Sequence, residues 1–444
     1  MEAWLNGLNA WLGAHPEWLG LAIFVIACVE CLAIAGIIVP GTIVLFAVAA
    51  MAGGGALSLG QTLLLGYLGG LLGDALSYAI GRGLHQNIRR LPLLRTHPQW
   101  LGGAESYFER YGIASLLVGR FIGPLRPMLP MVAGMLEMPL PRFIAVSLVA
   151  GAGWSVAYLL PGWMTGAAVR LPLPDGFWPE AAAVAAGLAL LIGLAIHSSV
   201  RKRPRATMLV AGCSLGLLVA MLVGWPYLNE LDHGLITLVQ EHRNATLDQM
   251  AVVITRFGDF RTQFFVGGLL TGLLLLTRQW RHALYAAGTL IGTALGNTLF
   301  KWLFSRARPE VLEHPLTSFS FPSGHSSASF AFFLTLAVLA GRGQPPRMRM
   351  TWMLVGCLPA FAIAASRVYL GVHWPSDVLG GALLAITVAS ITLAISQRVH
   401  SLEPLPLKVW WLVLPACVAL FGFFALHALP DAVMRYQYGP FSGQ

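Results

Sequence analysis

An all-α, polytopic membrane fold is what this sequence predicts, and three observations predict it. The first is composition. Of 444 residues, 57% are hydrophobic and 11% are charged, against about 25% charged in a soluble domain, and the mean hydropathy is +0.70. The second is spacing. Apolar runs of about 20 residues, the length that crosses a bilayer as a helix, alternate with short basic clusters. The third is interruption. Two apolar segments in the first half are broken repeatedly by Pro and Gly, as simple spanning helices are not. The net charge of +9 does not imply a nucleic-acid partner, because the basic residues are divided among short connections, as the positive-inside rule expects of cytoplasmic loops.

The second half threads simply. The cluster 201-RKRPR-205 follows the span 181–200, and the Pro-rich 171-LPLPDGFWPE-180 precedes it. This places a boundary here: a first domain over 1–175, a linker span and basic cytoplasmic loop over 176–205, and a second domain over 206–444. Spans are expected at 206–225, 262–277, 283–300, 323–341, 351–366, 378–397 and 408–428. The connections 278-RQWRH-282, 342-RGQPPRMRM-350 and 398-RVHSLEPLPLK-408 are basic and read as cytoplasmic. Those near 301–322 and 366–377 then face outward. The external segment 228–261 includes 241–260, which reads as a helix lying on the surface. Arg306, His282 and His400 read as interfacial anchors.

The first half reads differently. Its broken segments, 36-GIIVPGTIVLFAVAAMAGGG-55 and 119-GRFIGPLRPMLPMVAGMLEMP-139, fit re-entrant hairpins, which are tolerated where buried in protein or lining a cavity. With 82-RGLHQNIRRLPLLR-95 cytoplasmic, one hairpin enters from outside and the other from inside, an inverted-repeat arrangement with its site between the broken elements. The N-terminal 1-MEAWLNGLNAWLGAHPEW-18 lacks a basic n-region and reads as an interfacial stretch rather than a cleaved signal. The five cysteines lie in apolar runs, and the pair Cys28 and Cys31 reads as helix packing rather than a zinc or redox site.

Three polar motifs interrupt the second half. In 301-KWLFSRARP-309, Lys301 and Arg308 are seven residues apart, a spacing that puts them on one helix face if the helix runs to Pro309. In 322-PSGH-325, Ser323 and Gly324 open a helix whose free N–H groups suit an anion. In 366-SRVYLGVHWPSD-377, Pro375 suits a first helical turn, and Asp377 can reach back to one ring nitrogen of His373. Fixed cations and N–H donors neutralise a phosphate. A histidine held at Nδ1 by a carboxylate presents a basic Nε2, which makes His373 a nucleophile candidate. His325 can protonate a leaving oxygen. The sequence contains no HExxH, DxD or Cys/His ligand pattern, so no metal or other cofactor is expected.

These motifs, K-x6-RP, PSGH and SR-x5-H-x3-D, resemble those of the type 2 phosphatidic acid phosphatase family over about 206–400. The resemblance implies a six-helix bundle and metal-independent hydrolysis of lipid phosphates. It makes His373 the phosphohistidine nucleophile, His325 the general acid and Asp377 the residue that orients His373. Lys301, Arg308, Ser323, Gly324 and Arg367 become the phosphate ligands.

In the first half, Glu30 and Asp74 lie well inside apolar runs, and Arg120 and Arg126 flank the break of the second hairpin. Carboxylates inside a membrane are costly and are usually paired or functional. These four charges read either as static ion pairs or as a polar path for an anionic head group. Glu30, 36-GIIVPG-41, 73-GDALSYAIGR-82, 119-GRFIGPLRPMLPMVAG-134 and Trp154 resemble the DedA family over about 18–170. That resemblance implies lipid scrambling or transport, including return of an undecaprenyl phosphate carrier. One departure is Thr42, where many members carry an acid after the Pro-Gly. Together the two resemblances imply a lipid phosphatase fused to a lipid transporter in a bacterial inner membrane. The phosphatase site would face outward, and the partners would be a lipid phosphate and membrane lipids. Undecaprenyl diphosphate is the expected substrate; phosphatidic acid, phosphatidylglycerophosphate and a lipid A phosphate are alternatives.

Overall fold

A computed structural model describes residues 15–33, 35–38, 41–90, 95, 97–120, 126–200, 206–309, 311–312, 316–398, 401–427 and 429–436. The chain forms two compact units, Met1–Pro172 and Leu173–Gln444. Among the described residues, eight helices are long and apolar enough to cross a membrane, and Gly41–Ala56, Phe260–Leu276 and Gly324–Ala340 are shorter apolar helices. The protein is an all-α, multi-pass membrane protein.

The first unit contains α1 (Leu19–Cys31), α2 (Ala35–Ile38), α3 (Gly41–Met51), α4 (Leu59–Leu84), α5 (Pro98–Tyr111), α6 (Ile113–Gly119), α7 (Met128–Met135) and α8 (Leu140–Arg170). Ser58 starts α4 with a capping box: its hydroxyl accepts from Gln61 N at 3.2 Å, and Gln61 Oε1 accepts from Ser58 N at 3.0 Å. The two broken segments contain α3, of 11 residues, and α7, of 8. At about 1.5 Å per residue α3, with its continuation to Ala56, rises about 24 Å and α7 about 12 Å, both short of the ~30 Å hydrocarbon core. Every residue of α7 is buried, as a helix that stops inside a membrane protein requires. The breaks themselves, at 39–40 and 121–125, lie outside the described residues, as does the basic 201–205.

The second unit contains α9 (Phe177–Val200), α10 (Ala206–Gly224), α11 (Asn229–Glu241), α12 (Ala245–Arg256), α13 (Phe260–Leu276), α14 (Trp280–Phe304), α15 (Gly324–Ala340), α16 (Pro346–Tyr369), α17 (Pro375–Ser396), α18 (Leu407–Leu426) and α19 (Leu429–Arg435). The seven spans marked in the sequence after residue 205 correspond one for one to α10 and α13–α18. Helix α17 packs on α10, α14 and α15.

Two of the three basic connections meet at one end of this unit. The Arg281 Nη2 donates to Ser396 O at 3.0 Å, and a ring nitrogen of His282 lies 2.8 Å from Glu403 O. His282 is therefore a buried tie between α14 and the loop before α18, not the interfacial anchor expected. His400 lies outside the described residues. The 301–322 and 366–377 connections meet each other at the opposite ends of these helices, where Arg308 Nη1 donates to Val372 O at 2.6 Å. The segment expected to lie on the surface is α12, and its inner face belongs to the core. Val252 and Thr255 are buried, and Arg256 Nη2 donates to Phe424 O on α18 at 2.9 Å.

Helices α4 and α7 cross with their backbones in contact. A Cβ on Gly81 would overlap Met131 O, and one on Gly134 would overlap Tyr78 O. Leucine at Gly81 should therefore cost about 1–3 kcal/mol through overpacking, read as a lower unfolding temperature of the purified protein in detergent. Leucine at the exposed Gly83, where a Cβ meets nothing within 4 Å, should leave that temperature unchanged.

Candidate active site

His373 sits in the connection between α16 and α17 and is almost fully buried. Pro375 occupies the first turn of α17, and Asp377 lies at the third position of that helix. Its Oδ2 accepts from Trp374 N at 2.9 Å, which closes the helix N-terminus and brings the carboxylate back over His373. The Nδ1 of His373 lies 3.4 Å from Asp377 Oδ2, and Ser320 Oγ lies 3.3 Å from the same nitrogen. Ser320 also donates to Asp377 Oδ2.

The other nitrogen of the ring, Nε2, lies 3.0 Å from Arg308 Nη1. A guanidinium can only donate, so Nε2 accepts through its lone pair and the ring's proton sits on Nδ1, on the Asp377 side. Burial pushes the ring's pKa well below its ordinary value, and the charges of Arg308, Arg367, Lys301 and His325 push in the same direction. The imidazole is therefore neutral at pH 7, with its basic nitrogen at Nε2. Burial and Arg367 likewise lower Arg308, to about 10, which keeps it a cation at neutral pH.

The cations reach this point by a route that the helical spacing did not give. Helix α14 ends at Phe304, with Ser305 in the left-handed conformation. Lys301 is on its last turn, whereas Arg308 is on the extended strand of chain beyond it. The two do not share a helix face, because α14 stops before Pro309. They are instead gathered by the carbonyls of one loop. Lys301 Nζ donates to Phe319 O, and Arg308 Nε donates to Ser318 O at 2.7 Å. Ser323 caps α15, and its hydroxyl accepts from Ser326 N at 3.4 Å. A Cβ built on Gly324 would lie 4.0 Å from Lys301 Cε, so the N-terminus of α15 borders that lysine. Arg367 closes the floor. Its Nη1 donates to Thr255 Oγ1 at 2.8 Å and to Tyr436 OH at 3.0 Å.

Three residues here went unread in the sequence as parts of the site, and one was misread. Arg306, expected as an anchor at the interface, is buried between Trp225 and Trp374, with its Cζ 4.3 and 5.4 Å from their ring centroids. Its Nη1 donates to Asp377 Oδ1 at 2.8 Å and its Nη2 to Asp232 Oδ2 at 2.7 Å. Asp232, from α11, also accepts from Ser376 N at 2.8 Å. Asp259, just before α13, holds Nε2 of His325 at 3.0 Å. Ser320 completes the set. No spacing rule links 232, 259, 306, 320 and 377, so only the folded chain brings them together.

The first unit pairs its four charges. Arg120 Nη1 bonds Asp74 Oδ2, Arg126 Nη2 bonds Glu30 Oε1, and all four side chains are buried. Trp154 lies under both guanidiniums, with their Cζ atoms 5.1 and 5.8 Å from its ring centroid. Thr42, the departure noted above, donates to Glu30 Oε1 at 2.7 Å. Beside these pairs is a small cavity lined by Asp74, Arg120, Arg126, Pro130 and Ser147. Glu30 Oε2 and Trp154 Nε1 are buried and have no hydrogen-bond partner among the described residues.

Comparison with known proteins finds a match for each unit. Residues 282–401 match the model of the PAP2 superfamily, and residues 39–164 match that of the VTT domain. Among curated relatives, the inner membrane protein YabI of Escherichia coli is 36% identical over 152 residues, which cover 34% of this chain and 60% of YabI. The chain thus spans less than two thirds of that relative. An undecaprenyl-diphosphatase of Sulfolobus acidocaldarius is 28% identical over 173 residues, covering 37% of this chain and 77% of that enzyme. Among solved structures, a transmembrane PAP2-type phosphatidylglycerolphosphate phosphatase from Bacillus subtilis is 21% identical with a TM-score of 0.39, covering 43% of this chain and 97% of that one.

Removing one member of a buried ion network strands the others, at about 3–5 kcal/mol. Arg306→Ala should therefore lower the unfolding temperature sharply. Arg306→Lys should recover little, since an ammonium cannot bridge Asp232 and Asp377 as a fork does. Equal stability of Arg306→Lys and wild type in a detergent melt would show that the bridge carries no weight.

Proposed function

The chain is a fusion of a DedA-type VTT domain with a PAP2-superfamily domain, and from that premise we propose that it is a membrane lipid phosphatase joined to a lipid transporter. The observation that carries the phosphatase reading is the setting of His373. It has a basic Nε2 that accepts from Arg308, its Nδ1 toward Asp377, and Lys301, Arg367 and the start of α15 around it.

The mechanism follows from those positions. A phosphate entering beside Arg308 and Lys301 replaces part of their carbonyl partnership, and the Gly324 end of α15 adds N–H donors. Nε2 of His373 attacks phosphorus while the bond to the leaving oxygen breaks, and His325 supplies the proton that the leaving oxygen takes up. Asp377 keeps the Nδ1 proton in place and stabilises the positive ring of the phosphohistidine. Water, deprotonated by His325, then cleaves the P–N bond and releases phosphate. Every step uses side chains of this chain, so hydrolysis is expected to be metal-independent.

The substrate we favour is undecaprenyl diphosphate, hydrolysed to undecaprenyl phosphate. Its support is the similarity to the Sulfolobus enzyme and the fusion itself, which joins the producer of a carrier lipid to a domain suited to moving one. On this reading residues 1–175 form the transport domain, 176–205 the linker span and basic loop, and 206–444 the phosphatase. The basic connections of the second unit lie on the cytoplasmic side of a bacterial inner membrane, and the site faces outward. Glu30, Asp74, Arg120 and Arg126 line the path of the anionic head group. The Glu30 oxygen without a partner among the described residues and the cavity beside Arg120 favour this over static pairing alone.

Phosphate release by the purified protein in excess EDTA tests the chemistry. Release should persist with EDTA and vanish in His373→Ala, and a polyprenyl diphosphate should be preferred over phosphatidic acid. Release that stops with EDTA would overturn the metal-free mechanism, and preference for phosphatidic acid would reassign the substrate. In reconstituted vesicles, Glu30→Gln should slow the movement of a labelled polyprenyl phosphate between leaflets and leave phosphate release unchanged. His373→Ala should do the reverse. A fall in both activities in either variant would argue against two separate sites.

A further inference from the structure

The site contains two histidine–carboxylate pairs, and only one of them has been given a role so far. His373 has Asp377. His325 has Asp259, with Nε2 and Oδ1 3.0 Å apart. Asp259 comes from the short link between α12 and α13, well away from the three motifs in sequence. That link is held tightly: Gly258 N donates to Thr255 O at 2.9 Å, and Asp259 O accepts from Gln263 N at 2.9 Å. Gly258 lies against the His325 ring, where a Cβ would come within 3.0 Å of Cδ2 and 3.1 Å of Cβ. The ring thus has a backbone wall on one side and a carboxylate on its Nε2. Its Nδ1 makes no hydrogen bond among the described residues. The other charged groups bearing on the ring are Arg367 and Arg308, both cations. Burial alone would favour the neutral acid form of Asp259, but its bond to His325, with Arg367 and Arg256 beyond, holds the carboxyl below its usual value. It is therefore an anion at neutral pH.

We propose that Asp259 is the positioning residue of the general acid: it holds the Nε2–H of His325, so that the doubly protonated ring carries its transferable proton on Nδ1 and delivers it to the leaving oxygen. The step balances. The P–O bond to the leaving group breaks as Nε2 of His373 bonds phosphorus, the Nδ1 proton of His325 goes to the departing oxygen, and His325 becomes a neutral ring with its remaining proton on Nε2 facing Asp259. In the second half-reaction Nδ1 takes a proton from water, and the imidazolium is restored. Without the carboxylate, two neighbouring guanidiniums would act on the ring unopposed, and the acid would discharge at lower pH. The two pairs are then complementary. Asp377 holds the Nδ1 side of one histidine and frees its Nε2 to attack. Asp259 holds the Nε2 side of the other and frees its Nδ1 to give a proton.

This inference rests on the phosphatase reading, and the test separates the two. Wild type, Asp259→Asn, His325→Ala, the double variant and His373→Ala are assayed for phosphate release on two substrates that differ in leaving group. In phosphatidic acid an alkoxide departs, which needs a proton. In a polyprenyl diphosphate a phosphate monoester departs, which needs one far less. Asp259→Asn should slow the alkoxide substrate at least tenfold more than the diphosphate, within the 10²–10⁴-fold scale of general acid catalysis. If only one of the two is hydrolysed by wild type, the pH profile of kcat on that substrate gives the answer. The alkaline limb should move down by about one pH unit in Asp259→Asn. The double variant should be no slower than His325→Ala. An equal fall on both substrates, an unmoved alkaline limb, or a double variant slower by the full product of the single effects would make Asp259 a structural partner only. No release by wild type on either substrate would overturn the phosphatase reading itself, and release that survives in His373→Ala would remove His373 as its nucleophile, whatever Asp259→Asn does.

Discussion

One buried guanidinium organises the second unit. Arg306 lies between two tryptophan rings and joins Asp232 of α11 to Asp377 of α17. A lone carboxylate at the depth of Asp377 would tend to take up a proton, and on the proposed mechanism a protonated Asp377 could not hold the positive ring of a phosphohistidine. Arg306 keeps one oxygen of Asp377 occupied, leaving the other for Ser320, Trp374 N and His373. Asp232 offsets the second half of the guanidinium's charge. The connection 305–308 is pinned by this bridge, and Arg308 is delivered to His373 as a consequence. The cations proposed to bind phosphate can hold it only if something else fixes the backbone between them.

The two units handle buried charge in contrasting ways. In the first, carboxylates and guanidiniums come in equal number and are paired, so the net charge within that cluster is zero. Such a cluster is tolerable inside a membrane. In the second, Lys301, Arg308 and Arg367 all bear on one neutral histidine. Their partners are mainly carbonyls and hydroxyls, which leave the positive potential uncancelled. A site of that kind is suited to an incoming dianion, and its cations raise the energy of any proton on Nε2 of His373, the proposed nucleophile. Thr42 belongs to the same logic. A second carboxyl at that position would face Glu30, whereas the hydroxyl donates to it and keeps the pairing with Arg126 one-to-one.

Sequence alone determined what depends on local chemistry. Apolar length and basic punctuation set the helices of the second unit, because a bilayer imposes a length on whatever crosses it. The Pro and Gly breaks marked the short helices α3 and α7. The i,i+4 step from His373 to Asp377, with Pro375 between them, contained its own geometry, since a first helical turn carries the carboxylate back over the ring. Tertiary structure decided what depends on the chain's return. The spacing of Lys301 and Arg308 suggested a shared helix face, yet α14 stops at Phe304, and the loop 10 to 18 residues further on gathers both cations through its carbonyls. Arg306 and His282 looked like anchors because a single charge beside an apolar run has no visible partner in sequence; folded, each is buried against a group about 70 to 120 residues away. Asp232, Asp259 and Ser320 gave no signal for the same reason. Their meaning is a distance to another side chain, and periodicity encodes direction along one helix but not proximity between helices.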